Sequence, residues 1–182
     1  MTLHADLLEQ AEHLAKREPK KPRQASLRRA VSAAYYALFH LLVSEGAKRI
    51  SPNKPDGLKL VIQRGFSHGE MRNVCHSFVL GHVASINPRQ KPDKIANPPE
   101  ATRKLINLPL DQKLFNVTQA FIALQEARHE ADYDLEKQWN RLDVLGHLKT
   151  ARDAFADWAA IKTSDAATVF IVALLLQKNW TR

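Results

Sequence analysis

An all-α fold, an antiparallel up-and-down bundle of four long helices with shorter ones attached, is predicted by three features of this 182-residue chain. Apolar residues recur at helical spacing along most of its length. No stretch alternates apolar and polar residues as a half-buried strand does. Prolines and glycines fall where helices must end. The length fits one domain over residues 1–182, and 45% hydrophobic with 25% charged residues are ordinary proportions for a folded chain.

A first helix is predicted over residues 3–17, closed by Pro19 and Pro22. His4, Asp6, Glu9, Glu12 and His13 interrupt its apolar positions, which suits an amphipathic helix and not the continuous apolar run of a secretory signal. A second helix spans residues 24–45, with Gly46 as its stop. Leu27, Val31, Ala34, Leu38 and Leu41 form one seam on it, and Arg29, Ser32, Tyr36, His40 and Val43 a second at the same spacing, as expected of a central helix.

Residues 51–57 hold Pro52 and Pro55 and read as a loop before a short helix ending near Gly65. Ser67 and Glu70 match the S-x-x-E capping box, ahead of Met71, Val74, Phe78 and Val79. Beyond Gly81 the helical pattern fades. Pro88, Pro92, Pro98, Pro99 and Pro109 predict an irregular, basic excursion at about residues 82–110. The next helix starts at Asp111, a predicted N-cap, and ends around Asp134.

Another helix is predicted over residues 135–161, carrying Leu142, Leu145, Leu148, Ala151, Phe155 and Trp158, and Ser164 or Asp165 caps a last apolar one. Its apolar run, residues 166–176, is well short of the ~18 needed to suggest a membrane span, so a buried helix or one covered by a second subunit is expected. Cys75 is the only cysteine, so no intramolecular disulfide forms and a cytoplasmic, reducing compartment is expected.

Twenty-seven Lys and Arg against nineteen Asp and Glu give a net charge of +8, with a pI near 9.7. That favours polyanionic partners such as RNA, DNA or nucleotides, although a basic surface can also serve solubility alone. Residues 16–29 concentrate the charge: Lys16, Arg17, Lys20, Lys21, Arg23, Arg28 and Arg29 stand against Glu18. Lys20, Lys21, Arg23, Arg28 and Arg29 are the candidate phosphate contacts, the alternative being a solvated loop. No aromatic residue interleaves them, so base stacking gets no support from this strip.

Leu110, Leu114, Val117, Phe121 and Leu124 recur at steps of four, three, four and three, and the next step of four is Arg128. The helix thereby carries a guanidinium onto its own apolar face, where it needs an anion, a carboxylate or the mouth of a cleft. Asp132 lies one turn later, and an acid from another helix is the alternative partner. His129 points ~100° away from Arg128, so only a bend at the helix end would bring both to one phosphate. Tyr133 points ~140° away and is expected to need the helix to unwind.

The stretch Arg29-Ala30-Val31-Ser32-Ala33-Ala34-Tyr35-Tyr36-Ala37-Leu38-Phe39-His40, with Arg128-His129-Glu130-Ala131-Asp132-Tyr133 on a later helix, resembles the HEPN superfamily. The likeness is to its bacterial and archaeal branch with an AYYAxFH helix and an RxxADY motif, and it covers about residues 24–45 and 125–161. It implies a helical bundle that dimerises with the arginine motifs facing a shared cleft, and a link to RNA. Several members are metal-independent endoribonucleases of toxin–antitoxin or defence systems, and others are non-catalytic binding modules. It also implies a nucleotidyltransferase-type antitoxin as a partner, able to modify a tyrosine near the motif.

Nuclease members show R-x4-H, and here the position five after Arg128 is Tyr133. Metal-free RNA cleavage needs a base, an acid and a cation for the phosphorane charge. Arg128 supplies the cation, while His129, His40 and Tyr133 are the candidate proton carriers, with Asp132 completing the group. Ser32, Tyr35 and Tyr36 support the facing helix. Both readings, endoribonuclease and non-catalytic binding module, stay open at this point.

His68, Cys75, His76 and His82 match no ligand spacing, so no metal is expected. Without a G-x-G-x-x-G, a P-loop or a G-x-S-x-G, no cofactor is expected either.

Overall fold

The computed structural model describes residues 2–53, 55–87, 106 and 108–180, with side chains as far as Leu176. Among these residues lie seven helices and no strand, the all-α bundle that the periodicity predicts. They are α1 (Leu3–Lys16), α2 (Gln24–Ile50), α3 (Asp56–Gln63), α4 (His68–Ile86), α5 (Gln112–Tyr133), α6 (Arg141–Ile161) and α7 (Asp165–Trp180). The middle of the proline-rich excursion, residues 88–105 with residue 107, lies outside the described residues.

Three helix boundaries differ from expectation, each for a packing or capping reason. Helix α2 does not stop at Gly46 but runs on to Ile50. A Cβ on Gly46 would stand 2.5 Å from Cζ of Phe66 and 3.3 Å from Cγ2 of Ile171, so this glycine admits neighbours and does not end the helix. Helix α4 passes Gly81 and continues to Ile86, because His82 is buried there with its ring stacked on Phe115 at 4.1 Å. Helix α6 begins at Arg141, not Leu135. Before it, the Asp134 carboxylate accepts the backbone N–H groups of Glu136 and Lys137 at 3.0 and 3.1 Å, which folds a turn, and Asn140 Oδ1 accepts the N–H of Asp143 at 2.9 Å as the cap.

The expected caps elsewhere are present. Ser67 accepts from the Glu70 N–H, Asp111 from the Lys113 N–H and Ser164 from the Ala167 N–H.

The chain divides into two compact units. One comprises Met1–Leu41 and Ala120–Ala156. Its core takes Leu27, Val31, Ala34, Leu38 and Leu41 from α2 with Phe121 and Leu124 from α5, all buried, and the Tyr35 ring meets Phe121 edge-on at 5.6 Å. Each fully buried leucine or phenylalanine contributes about 1.5–3 kcal/mol through burial. Two side chains tie helix ends in this unit. Arg141 donates to the carbonyls of Ala15, Glu18 and Pro19 at the end of α1 and beyond it. Gln24 pairs its side-chain amide with both the N–H and the carbonyl of Trp139.

The other unit comprises Leu42–Gln119 and Asp157–Arg182. In it α4 packs against α7, where Phe78 meets Phe170 at 5.1 Å, and Trp158 lies 6.3 Å from the same ring. Arg49 donates to the Thr168 hydroxyl and to the Lys162 carbonyl. Among the described residues no single helix is long and apolar enough to cross a membrane.

Candidate functional site

Residues of α2 and α5 within the first unit build the site. The α5 seam is buried through Leu124, and Arg128 then stands at its end with a side chain 24% exposed. Its Nε lies 2.7 Å from Oδ2 of Asp132, one turn later. The Nε–H is not aimed at that oxygen, so the contact is one of charge and not an aligned hydrogen bond. Ser32 of α2, itself buried, donates its hydroxyl to the other carboxylate oxygen at 2.6 Å. Of the two partners the sequence offers Arg128, the structure thus selects Asp132.

Tyr36 of α2 accepts a hydrogen bond from Nη2 of Arg128 at 3.0 Å, and its ring centre is 5.6 Å from the guanidinium carbon. The Tyr133 ring is 5.5 Å from the same carbon. Two tyrosine rings therefore contact one cation, each contact worth about 0.5–2 kcal/mol according to its exposure. Burial acts against the charged guanidinium, but Tyr36 and Asp132 outweigh it and raise the pKa further. The positive charge is permanent.

The position of Tyr133 corrects the expectation that α5 must unwind to bring it near Arg128. The helix is regular through Tyr133, and the Asp134 N–H still bonds the Glu130 carbonyl at 3.0 Å. Two long side chains bridge the angular gap that a projection of Cβ directions leaves open. His129 is exposed and rests on Tyr133 with ring centres 5.0 Å apart. His40 lies 6.4 Å from the Tyr36 ring and 5.2 Å from the Phe39 ring. Burial lowers its pKa, so its imidazole is neutral at neutral pH.

No family model, no curated protein and no solved structure matches the chain. The chemistry of the site therefore follows from its own geometry.

The candidates separate into groups. Arg128, Asp132, Tyr133, Tyr36 and Ser32 share one continuous set of contacts, with His129 and His40 each one tyrosine ring away from the cation. Tyr35 is fully buried and belongs to the core. Lys20, Lys21, Arg23 and Arg29 are exposed, as a phosphate-tracking strip requires. Arg28 is used differently. It donates to the carbonyls of Ala131, Asp134, Leu135 and Lys137 at 2.9, 2.8, 3.4 and 2.6 Å, so it closes the C-terminus of α5 and holds the following turn.

No sequence pattern points to that clamp, because its acceptors are backbone carbonyls that any residue supplies. The Gln24–Trp139 pairing is hidden for the same reason. The thiol of Cys75 is buried, and burial pushes its pKa well above the usual range, so it is inert. Among the described residues no three His, Cys, Asp or Glu side chains gather as a metal would require.

Proposed function

We propose that this chain is a HEPN-like helical protein that binds RNA at the C-terminal end of α5 and along the basic strip of residues 16–29, without cutting it. The observation that carries this reading is the state of Arg128. Its charge is answered inside its own helix by Asp132, whose carboxylate is also held by Ser32, and among the described residues no histidine touches the guanidinium. An arginine fixed in this way can orient a phosphate or a base, but the proton-bearing groups beside it are the phenols of Tyr36 and Tyr133 and not an imidazole, the side chain best suited to the transfers of transesterification. The +8 charge and the exposed Lys20, Lys21, Arg23 and Arg29 support a polyanionic partner.

Both parts belong to one end of the unit, because Arg28, next to Arg29 on α2, bonds the turn that follows Tyr133. The homodimer and the nucleotidyltransferase-type partner rest on the family likeness alone, and the cytoplasmic location on the single cysteine, Cys75; all three are proposed with this reading. A retardation assay with a short RNA at two salt concentrations tests the reading. Binding is expected to weaken with salt, and replacing Lys20, Lys21, Arg23 and Arg29 by glutamine is expected to flatten the salt slope by about 0.7 for each phosphate no longer neutralised. No binding at low salt overturns it.

A second reading, a metal-independent endoribonuclease, is favoured by one observation. His40 is kept neutral by burial, as a general base should be, and stands one Tyr36 ring from Arg128. Cleavage in EDTA that is lost in His40→Gln supports it.

A further inference from the structure

We infer that the exposed face of Tyr133, backed by Arg128 and flanked by His129, is a stacking platform for an unpaired base, so that the RNA bound here is single-stranded. The inference rests on the RNA-binding reading above and deepens it. A tyrosine at the last turn of a helix is ordinarily free to swing, and 63% of Tyr133 is exposed. Here the ring has two neighbours. The Arg128 guanidinium lies 5.5 Å from its centre and His129 packs at 5.0 Å. The guanidinium is itself fixed by Asp132 and Tyr36.

The backbone beneath is fixed as well. Arg28 bonds the carbonyls of Ala131 and Asp134, on either side of Tyr133, and of Leu135 and Lys137 beyond. A large aromatic surface stands in water on a rigid seat, so stacking on it costs little further ordering. A base offers what such a surface takes: a flat π-face of similar size, whatever its sequence. A base inside a duplex keeps both faces covered by its neighbours and cannot be used.

The local charge agrees with this. Two of the nearby acids are engaged, Glu130 with Lys137 at 3.3 Å and Asp134 with two backbone N–H groups, while Glu136 stands exposed. Arg29 and the strip before it remain exposed for the phosphates. The strip lacks aromatic residues of its own, so the platform supplies the component that the strip cannot.

The test compares three probes of equal length and label: single-stranded oligouridine, the same chain with abasic riboses, and an RNA duplex. Fluorescence anisotropy should show the single strand binding about 5- to 150-fold tighter than the abasic chain, the range that stacking on one aromatic ring gives. Tyr133→Phe should keep that preference, and Tyr133→Ala should abolish it. Equal binding of the single strand and the abasic chain, or a preference that survives in Tyr133→Ala, overturns the platform and leaves the RNA-binding reading standing. No binding of any probe by the unaltered protein overturns both, and a protein partner then becomes the occupant of this surface.

Discussion

Oδ2 of Asp132 lies 2.7 Å from Nε of Arg128 one helical turn earlier, while Oδ1 accepts the Ser32 hydroxyl at 2.6 Å. The pair sits at the end of a seam whose other members are buried and apolar. Its chemical effect is to hold a permanent cation at a fixed orientation with its charge partly spent. An arginine in this state steers and stacks better than it stabilises a developing phosphorane.

Replacing Asp132 by Asn tests that relationship. The amide keeps the shape and a partner for Ser32 but removes the charge, leaving a partly buried guanidinium unanswered. Stability should fall by about 1–2 kcal/mol in urea denaturation, between the values for exposed and buried pairs. RNA retention should tighten, because the released cation turns to phosphate. Weaker retention in the folded variant would mean that Asp132 builds the binding surface.

Arg28 is expected to behave as a structural clamp. Arg28→Ala should cost about 1–2 kcal/mol, since four carbonyls lose a charged donor but several can take water instead. Hydrogen exchange should rise at residues 131–137 and change little in α1. Arg28→Lys should rescue poorly, because a single ammonium cannot span acceptors that the planar fork reaches together.

Gly46→Ala sets helix propensity against space. Alanine favours the helix by about 1 kcal/mol. The new methyl would stand 2.5 Å from the buried Phe66 ring, and overpacking of that kind costs about 1–3 kcal/mol. A lower melting temperature is expected; a higher one would mean that Phe66 moves aside freely.

Two histidines make stability depend on pH. Burial lowers the pKa of His40, and it also lowers that of His147, where Asp143 and Glu130 oppose the shift and Lys137 adds to it. The folded state therefore binds these protons less readily than the unfolded chain, whose histidines titrate near 6.5. Their stabilising contribution is complete above that value and is lost as pH falls through the window below it. The stability measured between pH 7 and 5 should decline, and the double variant His40→Gln with His147→Gln should show a shallower decline. An unchanged slope would assign the dependence to other groups.

Legibility follows the range of each interaction. Spacings within one helix are readable: the buried seam, the Arg128–Asp132 turn and the Ser67, Asp111 and Ser164 caps all follow from local pattern. Tyr133 escapes the pattern because angular projection counts Cβ directions and ignores how far tyrosine and arginine reach. Gly46 resembles a helix stop because a glycine that ends a helix and one that admits a ring look alike until Phe66, twenty residues later in the chain, is placed. The turn after Asp134 is hidden by Leu135, Glu136 and Lys137, each a good helix former, and is enforced by Arg28 from α2.

The most direct test incubates labelled single-stranded RNA and tRNA with the protein in EDTA, beside Arg128→Ala checked for folding by circular dichroism. Binding without catalysis predicts that the unaltered protein retards intact single-stranded RNA in a salt-sensitive way and that Arg128→Ala retards it less. Products with 2′,3′-cyclic phosphate ends, formed by the unaltered protein and absent with Arg128→Ala, would contradict it and make Arg128 part of a metal-independent nuclease centre.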